Sequence, residues 1–256
     1  MLRHILVIAK NTFKETVRDR IILGASILAI LMMLVSLFIA SISLDQDIRI
    51  IVDLSLTAIY VLQVFIAVFI GSNLFHKEME RKTFFLLLPK PASRESVILG
   101  KALGLVVTTT VVTLITSFAL SALLLVKGGT MYLVPLFLSI LMSTFEVFLL
   151  VLIAFLFSLF TSSVLSALFT LAIFLIGHSG DILVALIQKA TSFPMKFLLE
   201  IIYYVLPNLE KFNLRNEVIY KVLPDTRMII FAVFYAVLYS TILFFANRYL
   251  FKKKEF

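Results

Sequence analysis

Six long apolar stretches, at 21–43, 51–74, 98–126, 131–160, 164–187 and 228–246, leave this chain little choice of solvent. About 20 apolar residues suffice to cross a bilayer as a helix. Charged residues make up 15% of the chain and hydrophobic ones 61%, whereas a soluble domain carries about 25% charged residues. Most of the surface must therefore face lipid. The expected fold is an all-α integral membrane protein of six transmembrane helices, one membrane domain over 1–256 with no linker and no internal repeat. The fifth stretch is the least regular. Its first part, 164–176, is short for a crossing, and it completes one only by continuing tilted through Ile187.

The polar residues between these stretches fix an orientation, because short loops rich in Lys and Arg stay on the cytoplasmic side. Arg18 and Arg20 precede the first stretch and Asp45 and Asp47 follow it, while Lys252, Lys253 and Lys254 follow the last. Both the N- and C-terminal ends are therefore expected in the cytoplasm. Residues 2–18 set Leu2, Ile5, Ala9, Phe13 and Val17 on one helical stripe, the pattern of an amphipathic helix lying along the inner membrane surface. The plainer alternative is that this segment only extends the first span inward. No cleavable signal peptide is expected, since 5–9 is too short for one.

The apolar run 182–206 is interrupted by Lys189, Pro194, Lys196 and Glu200. A full crossing would bury these charges at about 2.5–3.5 kcal/mol each, so two short helices at or dipping into the outer surface are expected instead. Residues 208–225 are polar, edged by Pro207 and Pro224, and read as an external loop. The region 181–227 as a whole is expected to gate an exit or to receive an external accessory protein.

A net charge of +8, from 23 basic and 15 acidic residues, would point to nucleic acid in a soluble protein. Here the basic residues sit beside spans, where topology and anionic lipid headgroups account for them. No basic face is paired with a fold that reads bases, so no nucleic-acid partner is expected. With no cysteine in the chain, disulfides, thiol catalysis and Cys-based metal sites are excluded. Three scattered histidines make no metal site either.

Between the second and third spans lies a different kind of segment, FHKEMERKTFFLLLPKPASRESV at 75–97. Its basic residues Lys77, Arg81, Lys82, Lys90 and Arg94 put it in the cytoplasm. Residues 83–88 form a short apolar helix, stopped by Pro89 and Pro91, with Ser93 placed to cap the next one. Such a helix is awkward in water unless something covers it. Phe84, Phe85 and Leu87 make a knob for a groove on a cytosolic partner, with Arg81, Lys82 and Arg94 as a polar rim. Glu78 and Glu80 can pair with Arg81, Lys101 or the N-terminal helix. The alternative is that the charges only fix topology and the apolar residues lie on headgroups. A phosphate-binding loop is missing: Gly100-Lys101 is followed by Ala102, and Glu95 stands where the first glycine of such a loop belongs. No cofactor is expected in this chain, and any ATP would be bound by a separate subunit.

The order of amphipathic helix, two spans, charged island and further span resembles the permease subunits of ABC exporters of the type-two family. The matching residues are Lys77-Glu78-Met79-Glu80-Arg81-Lys82-Thr83, then Leu87-Leu88-Pro89-Lys90-Pro91-Ala92-Ser93-Arg94, then Gly100-Lys101. The later run Tyr204-Val205-Leu206-Pro207-Asn208-Leu209-Glu210-Lys211-Phe212-Asn213 is similar to a subgroup that includes the permease of the nitrous-oxide-reductase maturation transporter. The resemblance implies six spans per subunit and a homodimer, or a dimer with a similar permease. It also implies two copies of a cytosolic ABC ATPase and a multi-pass place in a prokaryotic cell membrane. Coupling to the ATPase falls to Glu78, Glu80, Arg81, Lys82, Thr83, Phe84, Phe85, Leu87 and Arg94. The substrate does not carry over, because the family handles drugs, lipids, glycans and metal-linked cargo alike.

Within the spans, Glu146 sits near the middle of the fourth. An ionisable residue there is a functional candidate, lining a translocation path or binding a proton. The plainer reading bonds it to Ser143, to Thr144 or across a dimer. Gln63 is the second path candidate, although such residues more often glue helices together. Gly100 and Gly104, with Thr108, Thr109, Thr110 and Thr113, permit close helix packing. The run Gly177-His178-Ser179-Gly180 resembles the serine motif of intramembrane rhomboid proteases, but that chemistry needs a histidine from another span. The other two, His4 and His76, are expected on the opposite side, so the chain is not expected to be an enzyme. The rival functions are an ion-coupled carrier or channel leaning on Glu146, and a scaffold using an ATPase for work other than transport.

Overall fold

The computed structural model describes residues 2–42, 46–80, 94–190 and 192–253. Among the described residues every regular element is helical. Leu2–Val17 forms α1 and Arg20–Ile42 forms α2. Asp47–Phe65 is α3, which passes through a wider π-helical turn at Ile66–Ile70 into α4, Gly71–Glu80. Arg94–Val126 is α5; a 3-10 turn at Thr130–Tyr132 leads into α6, Leu133–Ser158. Ser163–Gly177 is α7 and Gly180–Lys189 is α8. Phe193–Val205 is α9, followed by a 3-10 turn at Leu209–Phe212, α10 at Arg215–Tyr220 and α11 at Thr226–Lys253.

Arg20–Ile42, Asp47–Leu74, Glu95–Val126, Thr130–Ser158 and Thr226–Lys253 are each long and apolar enough to span a bilayer, and α7 with α8 makes a sixth only as a bent pair. The expected tilted helix running on through Ile187 does not form. The chain turns by 71° between α7 and α8, because Gly177 brings the end of α7 against another backbone. A Cβ added there would lie 2.7 Å from the carbonyl oxygen of Pro207. Only a residue without a side chain permits that approach.

Burial orders the helices. In the apolar window of α6, 67% of residues are buried, against 11% in α11. Leu149, Leu150, Val151, Leu152, Ala154 and Phe155 have no exposed surface, so α6 is the central helix and over this run is apolar on every side. Pro135 is tolerated in its opening turn, where its missing N–H would lack a partner anyway. The preceding turn is a Schellman motif. Gly129 N–H donates to Leu124 O (2.7 Å) and Gly128 N–H to Leu125 O (3.3 Å), with Gly128 at φ 79°.

Neighbouring helices are pinned to this centre by polar pairs as well as packing. Asn247 of α11, 1% exposed, donates to Leu152 O of α6 at 3.0 Å. Ser166 of α7 donates to Ala154 O (2.9 Å), and its Oγ lies 3.1 Å from Ser72 Oγ of α4. In a lipid solvent such bonds and close packing hold helices together, since apolar burial alone distinguishes lipid from protein poorly. At the end of the bundle where α5 begins, Arg248 pairs with Glu95 at 2.8 Å. At the other end Lys127 lies 3.6 Å from Asp47.

The amphipathic segment α1 lies along α5. A Cβ on Gly100 would sit 2.7 Å from Ile8 Cβ, and one on Gly104 would sit 2.6 Å from both Ala9 O and Thr12 Cβ. The two glycines therefore form a trough into which the backbone of α1 settles, and Ile5, Thr12 and Thr16 are buried in the contact.

The expectation of a polar external loop at 208–225 needs correction. Leu209, Phe212, Leu214 and Val218 are 0–2% exposed, and full burial of such side chains is worth about 1.5–3 kcal/mol each relative to water. The segment is a structured cap. Tyr235 of α11 accepts a hydrogen bond from Asn208 N (2.8 Å), and Lys211 Nζ lies 4.3 Å from the centre of the Tyr235 ring.

Candidate functional site

The two polar residues expected to matter within the spans, Glu146 and Gln63, form adjacent rungs between α3 and α6. Gln63 Nε2 donates to Ser143 Oγ at 3.0 Å, and Ser143 donates in turn to Ile140 O. Gln63 is 2% exposed and ties the two helices together. Three residues earlier on the same face of α3 comes Tyr60, and three residues later on α6 comes Glu146. Tyr60 Oη donates to Glu146 Oε1 at 2.5 Å. Neither Ser143 nor Thr144 serves Glu146, because both donate to Ile140 O instead.

Tyr60 also faces a second partner. His178, at the corner after α7, places Nε2 2.8 Å from Tyr60 Oη and 3.5 Å from Glu146 Oε1. Its Nδ1 lies 3.1 Å from Phe174 O. A carbonyl only accepts, so Nδ1 carries a hydrogen and Nε2 is the nitrogen free to gain or lose one. Phe174 supports the imidazole from below, with ring centres 4.7 Å apart. On the far side Glu210, from the 3-10 turn of the cap, puts Oε2 3.9 Å from Nε2, and its Oε1 accepts from Asn213 Nδ2 at 2.9 Å.

The cluster grades from dry to wet. The Glu146 side chain is 1% exposed, that of His178 17% and that of Glu210 45%. Asn213, the partner of Glu210, borders a polar cavity of about 510 Å³ together with Gln46, Arg49, Asp53 and Arg215. Arg215 holds Asp53 there through Nε at 2.9 Å and through its terminal nitrogen. At the buried end Glu146 Oε2 has no hydrogen-bond partner.

Chemically this is a set of groups that share protons. Among the described residues no three His, Cys, Asp or Glu side chains are arranged to hold a metal ion. Nor does the corner offer a nucleophile: Ser179 Oγ donates to Leu175 O at 2.8 Å and lies on the exposed side. Tyr60 and Glu210 carry no sequence signal of their own. His178 had one, the flanking Gly177 and Gly180, and the structure explains it as a close-packed corner.

Of the residues expected to couple to an ATPase, Arg81, Lys82, Thr83, Phe84, Phe85 and Leu87 lie outside the described residues. Glu78 and Glu80 belong to the last turn of α4 and Arg94 opens α5, with their side chains likewise outside the described set.

The model of the family described as "ABC-2 family transporter protein" matches residues 6–256 of the chain. No curated protein is similar enough to count as a match.

Proposed function

Because the chain belongs to the ABC-2 transporter family, and is thus a multi-pass membrane permease of an ABC transporter, we propose that it is the exporter-type permease of an assembly powered by a separate cytosolic ATPase. Two permease subunits, most simply two copies of this chain, form the path between them, and two ATPase subunits bind and hydrolyse the ATP. Both termini and residues 81–93 face the cytoplasm in this reading. The subgroup similarity at 204–213 is consistent with specialised cargo but names none.

One observation carries the proposal. The sequence island at 81–93 joins the end of α4 to the start of α5, and that start is where α1 is seated by Gly100 and Gly104 and where Arg248 of α11 pairs with Glu95. A push on the island by an ATPase would therefore reach α1, α4, α5 and α11 at once. ATP-driven closure moves the island, tilts α3–α4 and α5, and opens a path at the dimer interface; Glu146 and Gln63, buried between α3 and α6, meet that path only when these two helices part. The region 181–227, which includes the cap, gates the exit or receives an external accessory protein.

The test is Phe84→Asp with Phe85→Asp in the full-length chain co-expressed with its ATPase. The apolar knob would then carry two charges, and the ATPase should no longer co-purify with the permease. Intact assembly and undiminished transport in this variant would remove the docking role from the island.

A further inference from the structure

The hydroxyl of Tyr60 has one hydrogen and two claimants. Glu146 Oε1 stands 2.5 Å away and His178 Nε2 stands 2.8 Å away. Counting hydrogens decides what the closed cluster must contain. With Nδ1–H committed to Phe174 O, a carboxylate and a neutral imidazole would present two acceptors to Tyr60. One of the two short contacts would then be oxygen or nitrogen lone pair against lone pair. One additional proton repairs the arrangement in either of two ways. His178 carries it on Nε2 and donates to Tyr60, which donates to Glu146; or Glu146 carries it and donates to Tyr60, which donates to His178.

From this count, the unpartnered Glu146 Oε2 and the graded exposure of the cluster, we infer that Glu146, Tyr60, His178 and Glu210 form a proton-binding relay, whose occupancy holds α3, α6 and the α7–α8 corner together. The two arrangements interconvert by a concerted shift. The Nε2–H bond of His178 breaks as its proton forms a bond to Tyr60 Oη, and the Tyr60 O–H bond breaks as its proton forms a bond to Glu146 Oε1. The imidazolium and carboxylate become a neutral imidazole and a carboxylic acid, Tyr60 ends as it began, and no electron acceptor or second reactant is needed. Entry is through Glu210, the most exposed member, which Asn213 holds at the edge of the polar cavity. Its distance of 3.9 Å from Nε2 is beyond a hydrogen bond, and a small rotation of this half-exposed side chain closes it.

The surrounding charges leave the relay to itself. On the cap, Lys211 is turned onto the Tyr235 ring of α11, and on α10 Arg215 is paired with Asp53 of α3. The elements around the corner carry two further acidic groups, Asp181 in the first turn of α8 and Glu217 of α10, whose Oε2 is buried. Among the described residues, Glu210 is the one carboxylate besides Glu146 that an ion-pair distance joins to His178. The site binds a proton as its ligand, and it does so whether or not the chain exports anything.

The experiment is a nitrogen-15 NMR titration of the full-length chain in lipid nanodiscs, with His4→Asn and His76→Asn so that His178 gives the only imidazole signals. It is repeated with Tyr60→Phe, which removes the hydroxyl and keeps the ring, and with Glu146→Gln. At a fixed pH in the range where histidine changes charge, the ratio of hydrogen-bearing to free Nε2 should change about tenfold or more in each variant. Should Glu146→Gln fail to fold, Tyr60→Phe alone decides. An unchanged Nε2 ratio in Tyr60→Phe would overturn the relay. The inference would fall equally if the parent chain kept Nε2 free of hydrogen while the Glu146 carboxyl carbon, read by carbon-13 NMR, showed the ionised form throughout the range. Transport assays play no part in these readouts, so failure here and failure of the export reading are separate results.

Discussion

Replacing Gly104 by alanine puts a methyl carbon 2.6 Å from Ala9 O and 2.6 Å from Thr12 Cβ, and ordinary contact begins at 3.4 Å. The obstacle is a backbone carbonyl on one side and a branched Cβ on the other, and neither can swing aside. To regain normal contact α1 must retreat by about 0.8 Å, and a gap of about 0.5–1 Å forfeits a quarter to a half of the dispersion attraction at each affected contact. Overpacking of this kind costs about 1–3 kcal/mol, which raises the undocked fraction of α1 about 5- to 150-fold. The better helix propensity of alanine does not enter, because α5 is helical whether α1 is docked or not. A Thr16→Cys background reports the undocking. Thr16 is 1% exposed, its hydroxyl donates only within α1 to Thr12 O, and the chain has no other cysteine. Maleimide labelling of that single thiol should quicken by the same factor when Gly104→Ala is added. Gly24→Ala is the control, since nothing lies within 4 Å of its added Cβ. Equal labelling rates with and without Gly104→Ala would refute the trough.

Gly177→Ala forces a methyl to 2.7 Å from Pro207 O, and thermal unfolding in detergent should show a loss of about 1–3 kcal/mol; an unchanged stability would refute the close approach. A double-mutant cycle on Asp53→Asn and Arg215→Gln should return a small coupling of about 0–1 kcal/mol that fades with added salt. Both side chains are about 40% exposed, at 40% and 42%. A coupling of several kcal/mol would mean that the cavity is closed to water in the assembled transporter.

What could be read from sequence alone tracks how local its physical cause is. The spans at Arg20–Ile42 and Thr226–Lys253 follow from nothing but the length of an apolar run. The trough at Gly100 and Gly104 was half legible: the spacing announces close packing, but the occupant, α1, is about a hundred residues away in the chain. The corner after Gly177 was hidden, because both arms are apolar and its cause is the Pro207 carbonyl across the fold. The cap was misjudged for a related reason. Leu209, Phe212, Leu214 and Val218 follow neither a helical nor an alternating period, since a 3-10 turn and a short helix share them. Glu146 stood out as a lone ionisable group, yet its partners Tyr60 and His178 come from two other helices, and separations of 86 and 118 residues within the triad leave no local trace.

The seating of α1 has a mechanical corollary. Only Arg18 and Asp19 join α1 to α2, α2 lies against α3, and α3 leads through α4 and the 81–93 connection back to α5. With α3 and α4 taken as one bar, helices one to five thus close a kinematic loop, three of its joints made by the chain itself and one, α1 on α5, by packing alone. A closed chain of stiff bars has far fewer independent displacements than the same bars joined end to end. Whatever force arrives at one bar must come out as coordinated rotation of all of them, so a mutation that loosens one packed joint should blunt the stroke without touching any residue that meets cargo or nucleotide.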